Sequence, residues 1–360
     1  MRLPEFKVEQ WMTEYENDAI YNLTDTTVKA LTYKELMELG TIDDSMSLDY
    51  GAITGDVRLK EEILSLYTTG TIDQITTCQG CLQANEMVMN TLLDAGSHVI
   101  TCVPGYQQFV DLPKSIGCEV SLIHCKEEND WIPSIDEFKD SIKDTTKMII
   151  LNNPNNPTGH HLDDAYMNEL ISLCKSKKIY ILCDEVYKEW SDTYNHSISD
   201  LYEYGISTCS LSKYFGLSGL RFGWVKANLD VISQINTRRD YSIISTGPLI
   251  DTLAYNALKN KELLMNRSDT LIQKNKAMVK KWLIENPHYH CVIPEYGTVG
   301  FLRYDYRLAS NQYALSLLKE KGIFFVPGAC FDYDGYFRIG FAQDAERMEK
   351  GLELLSKYFD

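Results

Sequence analysis

The run CSLSKYFGLSGLRFGWV, residues 209–225, holds one lysine in surroundings that lysines ordinarily avoid. Lysines sit on polar faces with the ammonium in water. Lys213 instead follows an apolar, strand-like lead-in and stands among serines and glycines, with Arg221 eight positions on. Its charge either snorkels to solvent or is neutralised or consumed by something bound. Other chemically able residues also stand just behind apolar runs. KMIIL is followed by NNPNNPTG, residues 152–159, where two Asn-Pro steps and a glycine make a rigid non-helical turn. That turn is a stiff loop, or it holds Asn156 as a fixed amide donor. KIYILC is followed by DEVY, Asp184 to Tyr187. A carboxylate ending a buried strand is costly without a partner. Asp184 is therefore a helix N-cap or the partner of a ligand cation. Gly80 precedes a helical pattern running to Leu93, and a glycine there leaves backbone amides open to an anion.

Taken together these groups form one inventory. The helix start at Gly80, the hydroxyls of Ser210 and Ser212, and Arg221 suit a phosphate. Asp184 suits a ring cation. Asn156 and the Tyr187 phenol suit a ring oxygen, and Lys213 suits an aldehyde. Pyridoxal 5′-phosphate has all of these parts: lysine forms a Schiff base with its aldehyde, and an acid keeps its pyridine nitrogen protonated.

The elements that must position these groups follow an α/β rhythm. From about 97 to 227 the apolar runs SHVITCV, EVSLIHC, TKMIILN, KIYILCD, STCSLS and FGWVKA alternate with helical patterns. Most are continuously apolar, as strands covered on both faces are. Between two of them, Leu162, Tyr166, Leu170, Ile171 and Cys174 fall on one helical stripe. This is the βαβ pattern of a mostly parallel sheet, in which ligands collect beyond the carboxyl ends of the strands. Residues 250–286 read as one long helix or two, followed by the strand-like HCVIP, VGFLRY, IFFVP and YFRIGFA. The expected organisation is a three-layer α/β/α large domain over 45–250. A smaller α+β domain is expected from 1–44 and 251–360.

Composition narrows the function classes. The 360 residues are 44% hydrophobic and 24% charged, an ordinary globular mixture. Net charge is −16 without a basic block, which argues against nucleic acid, whose binding needs clustered cations. No run of about 18 apolar residues suggests a membrane span, and MRLPEFKVEQWMTEYEND lacks the apolar core of a secretion signal. The expected setting is cytoplasmic, with the ten scattered cysteines as free thiols. The C-x-x-C of Cys78 and Cys81 lacks a partner pair or nearby histidines and reads as chance placement.

Four motifs in order, NPNNPTG, DEVY, SLSKYFGLSGLRFGW and YFRIGFA, resemble the class I/II aminotransferases, pyridoxal-phosphate enzymes of fold type I. The resemblance runs from about Tyr50 to Arg338. It implies that Lys213 is the Schiff-base lysine and proton carrier, and that Asp184 pairs with the pyridinium. Asn156 and Tyr187 would bond the ring 3-oxygen, and Tyr106 in VPGYQQF would stack on the ring. The backbone amides of Cys81 and Leu82, with Ser210, Ser212 and Arg221, would take the phosphate. Arg338 would clamp the substrate carboxylate, a bidentate task suited to guanidinium. Tyr50 would reach the neighbouring subunit's phosphate, which implies a homodimer. The N-terminal loop departs from the family: Thr24 to Thr27 replace the usual glycine and could form a polar lid.

The implied reaction is ping-pong transfer of an amino group between an L-amino acid and a 2-oxo acid. The alternative is a lyase or cyclase on the same fold. YNLTDTTVKALTYKELMEL and RRDYSIIS resemble capreomycidine synthase, a family member that eliminates and cyclises. Arg238 and Arg239 read as a solvated helix face, with a distal-carboxylate role as the alternative, and His160 and His161 are given no role. A non-enzymatic effector-binding module would need a basic DNA-reading helix. A nicotinamide dehydrogenase would need a G-x-G-x-x-G after a strand, which the chain does not have.

Overall fold

The computed structural model describes residues 2–191 and 195–358. At its centre seven strands pair in the order Ile75–Cys78, Gly223–Lys226, Gly205–Ser210, Tyr180–Asp184, Thr146–Asn152, His98–Val103 and Glu119–His124. Gly223–Lys226 runs antiparallel to both its neighbours, and every other pairing is parallel. The inner strands are buried along most of their length, with Lys147 exposed and Tyr180 half-buried near their starts, which explains their long apolar runs. Glu119–His124 lies at the sheet edge and is more exposed, so its run is not covered on both faces. Ile75–Cys78 escapes the sequence reading: at four residues, with two threonines, it has no apolar run to announce it.

Register brings the polar ends together. Asn152 lies opposite Asp184, and Asp184 lies opposite Thr208. The turns that leave these strands therefore leave from one edge, carrying Asn156, Tyr187 and Lys213.

Residues 250–286 form two helices, Pro248–Lys259 and Lys261–Glu285. Asn260 breaks them, and its Nδ2 donates to the carbonyls of Leu39 and Asn256, each at 2.8 Å. The C-terminal strands make an antiparallel sheet in the order Val326–Pro327, Tyr336–Gly340, Val299–Tyr304 and Tyr289–His290. Of HCVIP, only His290 is in a strand. Tyr21–Asn22 pairs in parallel with Ile323–Phe324, which ties the N-terminal segment to the C-terminal elements.

Candidate active site

A cavity of about 630 Å³ opens at the carboxyl edge of the sheet. Its wall includes Cys81, Leu82, Tyr106, Asn156, Asp184, Tyr187, Ser210, Ser212, Lys213, Arg221 and Arg338. Gly80 lies immediately behind Cys81. Tyr50, 65% exposed, is not on this wall.

Lys213 projects from the loop after Gly205–Ser210, and its Nζ donates to Thr26 Oγ1 at 2.7 Å. No carboxylate lies within ion-pair distance among the described residues. Burial first, and then Arg338, hold its amine below the ordinary lysine range. The hydroxyl that receives it comes from the threonine loop. Thr24, Thr26 and Thr27 are buried there, with Thr26 and Thr27 on the cavity wall, as a polar lid would place them.

Asp184 is 5% exposed and accepts from Asn85 Nδ2 at 2.7 Å and from the Val186 N–H at 3.0 Å. Burial raises its carboxyl above the ordinary range, against the pull of those two donors and of Lys213. Asn85 itself is fixed by Thr208 Oγ1, which donates to its Oδ1 at 2.6 Å. The helix-cap alternative for Asp184 fails, because among the described residues no helix starts there: the Val186 bond is a local turn, and the other oxygen accepts from Asn85.

Asn156 sits in the NNPNNPTG turn, which is locked from within. Its N–H donates to Asn152 Oδ1 at 2.8 Å, and Asn155 Nδ2 donates to Thr158 Oγ1 at 2.9 Å. His160 serves this lock, with Nδ1 2.8 Å from Thr158 Oγ1. Burial pushes its imidazole down to about 3, so it is neutral. Burial likewise pushes the Tyr187 phenol up to about 12, which keeps it a hydrogen-bond donor.

At the other end, Gly80 has φ 85° at the N-terminus of the helix Cys81–Leu92. A Cβ there would lie 2.9 Å from Arg221 Nη2, so glycine lets the guanidinium close over the helix start. Gly223 permits the same approach from below, since a Cβ on it would lie 2.7 Å from the Gly80 carbonyl carbon. Ser210 and Ser212 are buried beside this cradle. Arg338, 5% exposed, donates from Nε to Thr24 Oγ1 at 3.2 Å and has no carboxylate partner among the described residues.

Arg239 corrects the sequence reading. It is fully buried, bonded to Thr76 and to the Thr77 carbonyl at 3.2 Å, and it is not on this wall. Arg238 is exposed. Cys78 and Cys81 are free, buried thiols.

A family model, aminotransferase class I and II, matches residues 16–355. The chain belongs to the class I and II aminotransferases. This aminotransferase-family chain is similar to a PLP-dependent aminotransferase from Streptococcus suis 89-1591 at 38% identity and TM-score 0.96, covering 99% of this chain and 98% of that one. It is 26% identical to capreomycidine synthase of Streptomyces vinaceus, over 99% of this chain and 94% of that protein. It is 25% identical to an aspartate aminotransferase of Pyrococcus horikoshii, over 79% of this chain and 75% of that protein. The wall fits the cofactor of this class, pyridoxal 5′-phosphate. The fit rests on a half-buried amine with no carboxylate partner among the described residues, a buried carboxylate short of a cation, and a glycine-lined cradle under Arg221.

Asn85 is the residue that sequence reasoning missed. It shares a helical stripe with Cys81, Ala84, Val88 and Leu92, and a lone amide on an apolar stripe was the available signal.

Proposed function

We propose that the protein is an aminotransferase that moves an amino group between an L-amino acid and a 2-oxo acid by a ping-pong mechanism. The observation that carries this reading is one cavity wall holding Lys213, Asp184 and Arg338. When bound, pyridoxal phosphate supplies a carbonyl for the substrate amine and an electron-withdrawing ring. The amides of Cys81 and Leu82, the hydroxyls of Ser210 and Ser212, and Arg221 hold its phosphate. Asp184 keeps a proton on the ring nitrogen. Asn156 and Tyr187 hold the ring oxygen, and Tyr106 packs against the ring. Arg338 takes the substrate α-carboxylate in a bidentate grip and orients the α-carbon. Lys213 Nζ, its pKa held down, has a lone pair with which to take the proton from that carbon.

The domain division at 44/45 and 250/251, a cytoplasmic setting and a homodimer belong to the same reading. The dimer is supported by exposed Leu48, Tyr50 and Ile53 beside Pro248, against which Gly51 packs. Tyr50 then serves the partner's phosphate rather than its own. Among the described residues no helix is long and apolar enough to cross a membrane.

The test is a single turnover. The expected result is one equivalent of 2-oxo acid per site, with the cofactor left in its amine form. A lyase or cyclase, the reading favoured by the likeness to capreomycidine synthase, leaves the cofactor as the aldehyde. That outcome would replace transamination by elimination.

Asn85 positions Asp184 in this scheme. Asn85→Ala is expected to lower kcat about tenfold, the size of one lost bond to a charged group. Asn85 lowers the Asp184 pKa, so its loss raises it. The acid limb of the kcat/KM profile should therefore move to higher pH. A limb that stays in place would leave Asn85 a merely structural role.

A further inference from the structure

One side of the cavity has no task in the scheme above. Glu9, Glu16 and Asp25 line it, together with Val8 and Met12. The cations on the same wall are Lys213, Arg221 and Arg338, and the proposed reading gives them to the cofactor and the α-carboxylate. Asp184 is likewise given to the ring nitrogen. Among the described residues, none of the three remaining carboxylates has a Lys, Arg or His within ion-pair distance.

Two of these acids are held by the fold rather than trailing in solvent. Gly340 N–H donates to the Leu23 carbonyl at 2.9 Å, and a Cβ at 340 would lie 1.8 Å from the Asp25 carbonyl oxygen. Only glycine allows that approach, and it fixes the backbone that presents Asp25. The Asp25 side chain accepts the Thr27 N–H at 2.9 Å. Glu16 Oε1 accepts from Asn22 Nδ2 at 2.9 Å. Burial first, and then Asp25, raise the Glu16 carboxyl above the ordinary range, more than Asn22 and Arg338 pull it down. Thr26, next to Asp25 on this wall, accepts from Lys213 Nζ at 2.7 Å, so the wall adjoins the reacting end of the cavity.

We propose that Glu9, Glu16 and Asp25 receive the substrate's side chain, and that this side chain ends in a cation, an amine or a guanidine on an aliphatic stem. The inference rests on the cavity being an amino-acid site, as proposed above. Val8 and Met12 offer apolar surface to the stem, and the three carboxylates meet the charged end. A dicarboxylic amino acid is disfavoured by the same wall. Its second carboxylate would face three like charges, with no unassigned cation to receive it.

The test compares L-lysine and L-arginine with L-norleucine, the uncharged near-isostere of lysine, and with L-glutamate, on the holoenzyme. L-lysine or L-arginine is expected to exceed L-norleucine in kcat/KM by at least about tenfold, the worth of one charged hydrogen bond. L-glutamate is expected to be the poorest. The ratio of the cationic substrate to L-norleucine should fall several-fold in Glu16→Gln and in Asp25→Asn. Preference for L-norleucine or L-glutamate, or a ratio unmoved in both variants, overturns the proposal. Calorimetric binding of the same amino acids to the unmodified holoenzyme separates this inference from the reaction it rests on. A holoenzyme that binds L-lysine more tightly than L-norleucine but transfers no amino group sinks transamination and keeps the cationic subsite. Equal or reversed affinities sink the subsite whatever the reaction.

Discussion

Lys213→Ala is expected to lower kcat by well over about 10⁴-fold, beyond the usual range for loss of a general acid or base alone. In the proposed scheme the substitution removes two functions at once, the nucleophile for the cofactor carbonyl and the carrier of the α-proton. Lys213→Arg should fare no better, because a guanidinium does not deprotonate in proteins. Neither loss should come from unfolding. The Lys213 amine makes one side-chain hydrogen bond, to Thr26, and its burial costs solvation rather than supplying stability. Melting temperature should therefore stay close to that of the parent while turnover collapses. Borohydride reduction of the parent holoenzyme followed by peptide mass mapping should leave the cofactor's mass on residue 213. A holoenzyme reduced elsewhere, or a Lys213→Ala variant within about tenfold of the parent rate, would remove Lys213 from the chemistry.

The site was legible because its groups are written where strands end. Buried parallel strands have continuous apolar runs, so the first polar residues after KMIIL, KIYILC and STC mark the carboxyl edge without any structure. The register of Asn152 with Asp184, and of Asp184 with Thr208, then makes neighbours of groups 32 and 24 residues apart. Groups delivered from the opposite side of the cavity were harder to read. Glu9 and Glu16 lie in an N-terminal segment whose docking depends on long-range contacts, such as Lys7 N–H to Gln107 Oε1 at 2.8 Å and Trp11 Nε1 to the Phe325 carbonyl at 2.9 Å. Nothing local to the segment announces those contacts.

Arg239 shows a different failure. The pattern up to Arg238 is helical, and continuing it puts Arg239 on a polar face. The chain instead tightens to a 3₁₀ turn over Arg239–Tyr241, which swings the guanidinium under the Ile75–Cys78 strand. A strand too short to be read from the sequence thus hid the burial of an arginine too.

Asp184→Asn is expected to lower kcat about 10²–10⁴-fold, from the roughly 3–5 kcal/mol lost when one partner of a buried ion pair is removed. The two side chains match in volume, and asparagine can still accept the Val186 N–H, so the turn should persist. Its charge does not persist. Burial already disfavours the Asp184 carboxylate, and Asn85, Val186, the Cys81 thiol and the nearby Lys213 pull against it. In the proposed scheme a protonated ring nitrogen would supply the missing cation, and the two charges would hold each other in place. A neutral amide offers no such return and can instead donate to an unprotonated nitrogen, which withdraws electrons poorly. KM for the amino acid should barely change, because in this scheme Asp184 faces the ring and Arg338 faces the substrate. Asp184→Glu, which keeps the charge at a displaced position, should recover part of the loss. If Asp184→Asn turned over within about threefold of the parent, or if its deficit lay in KM, Asp184 would not be the partner of the ring nitrogen.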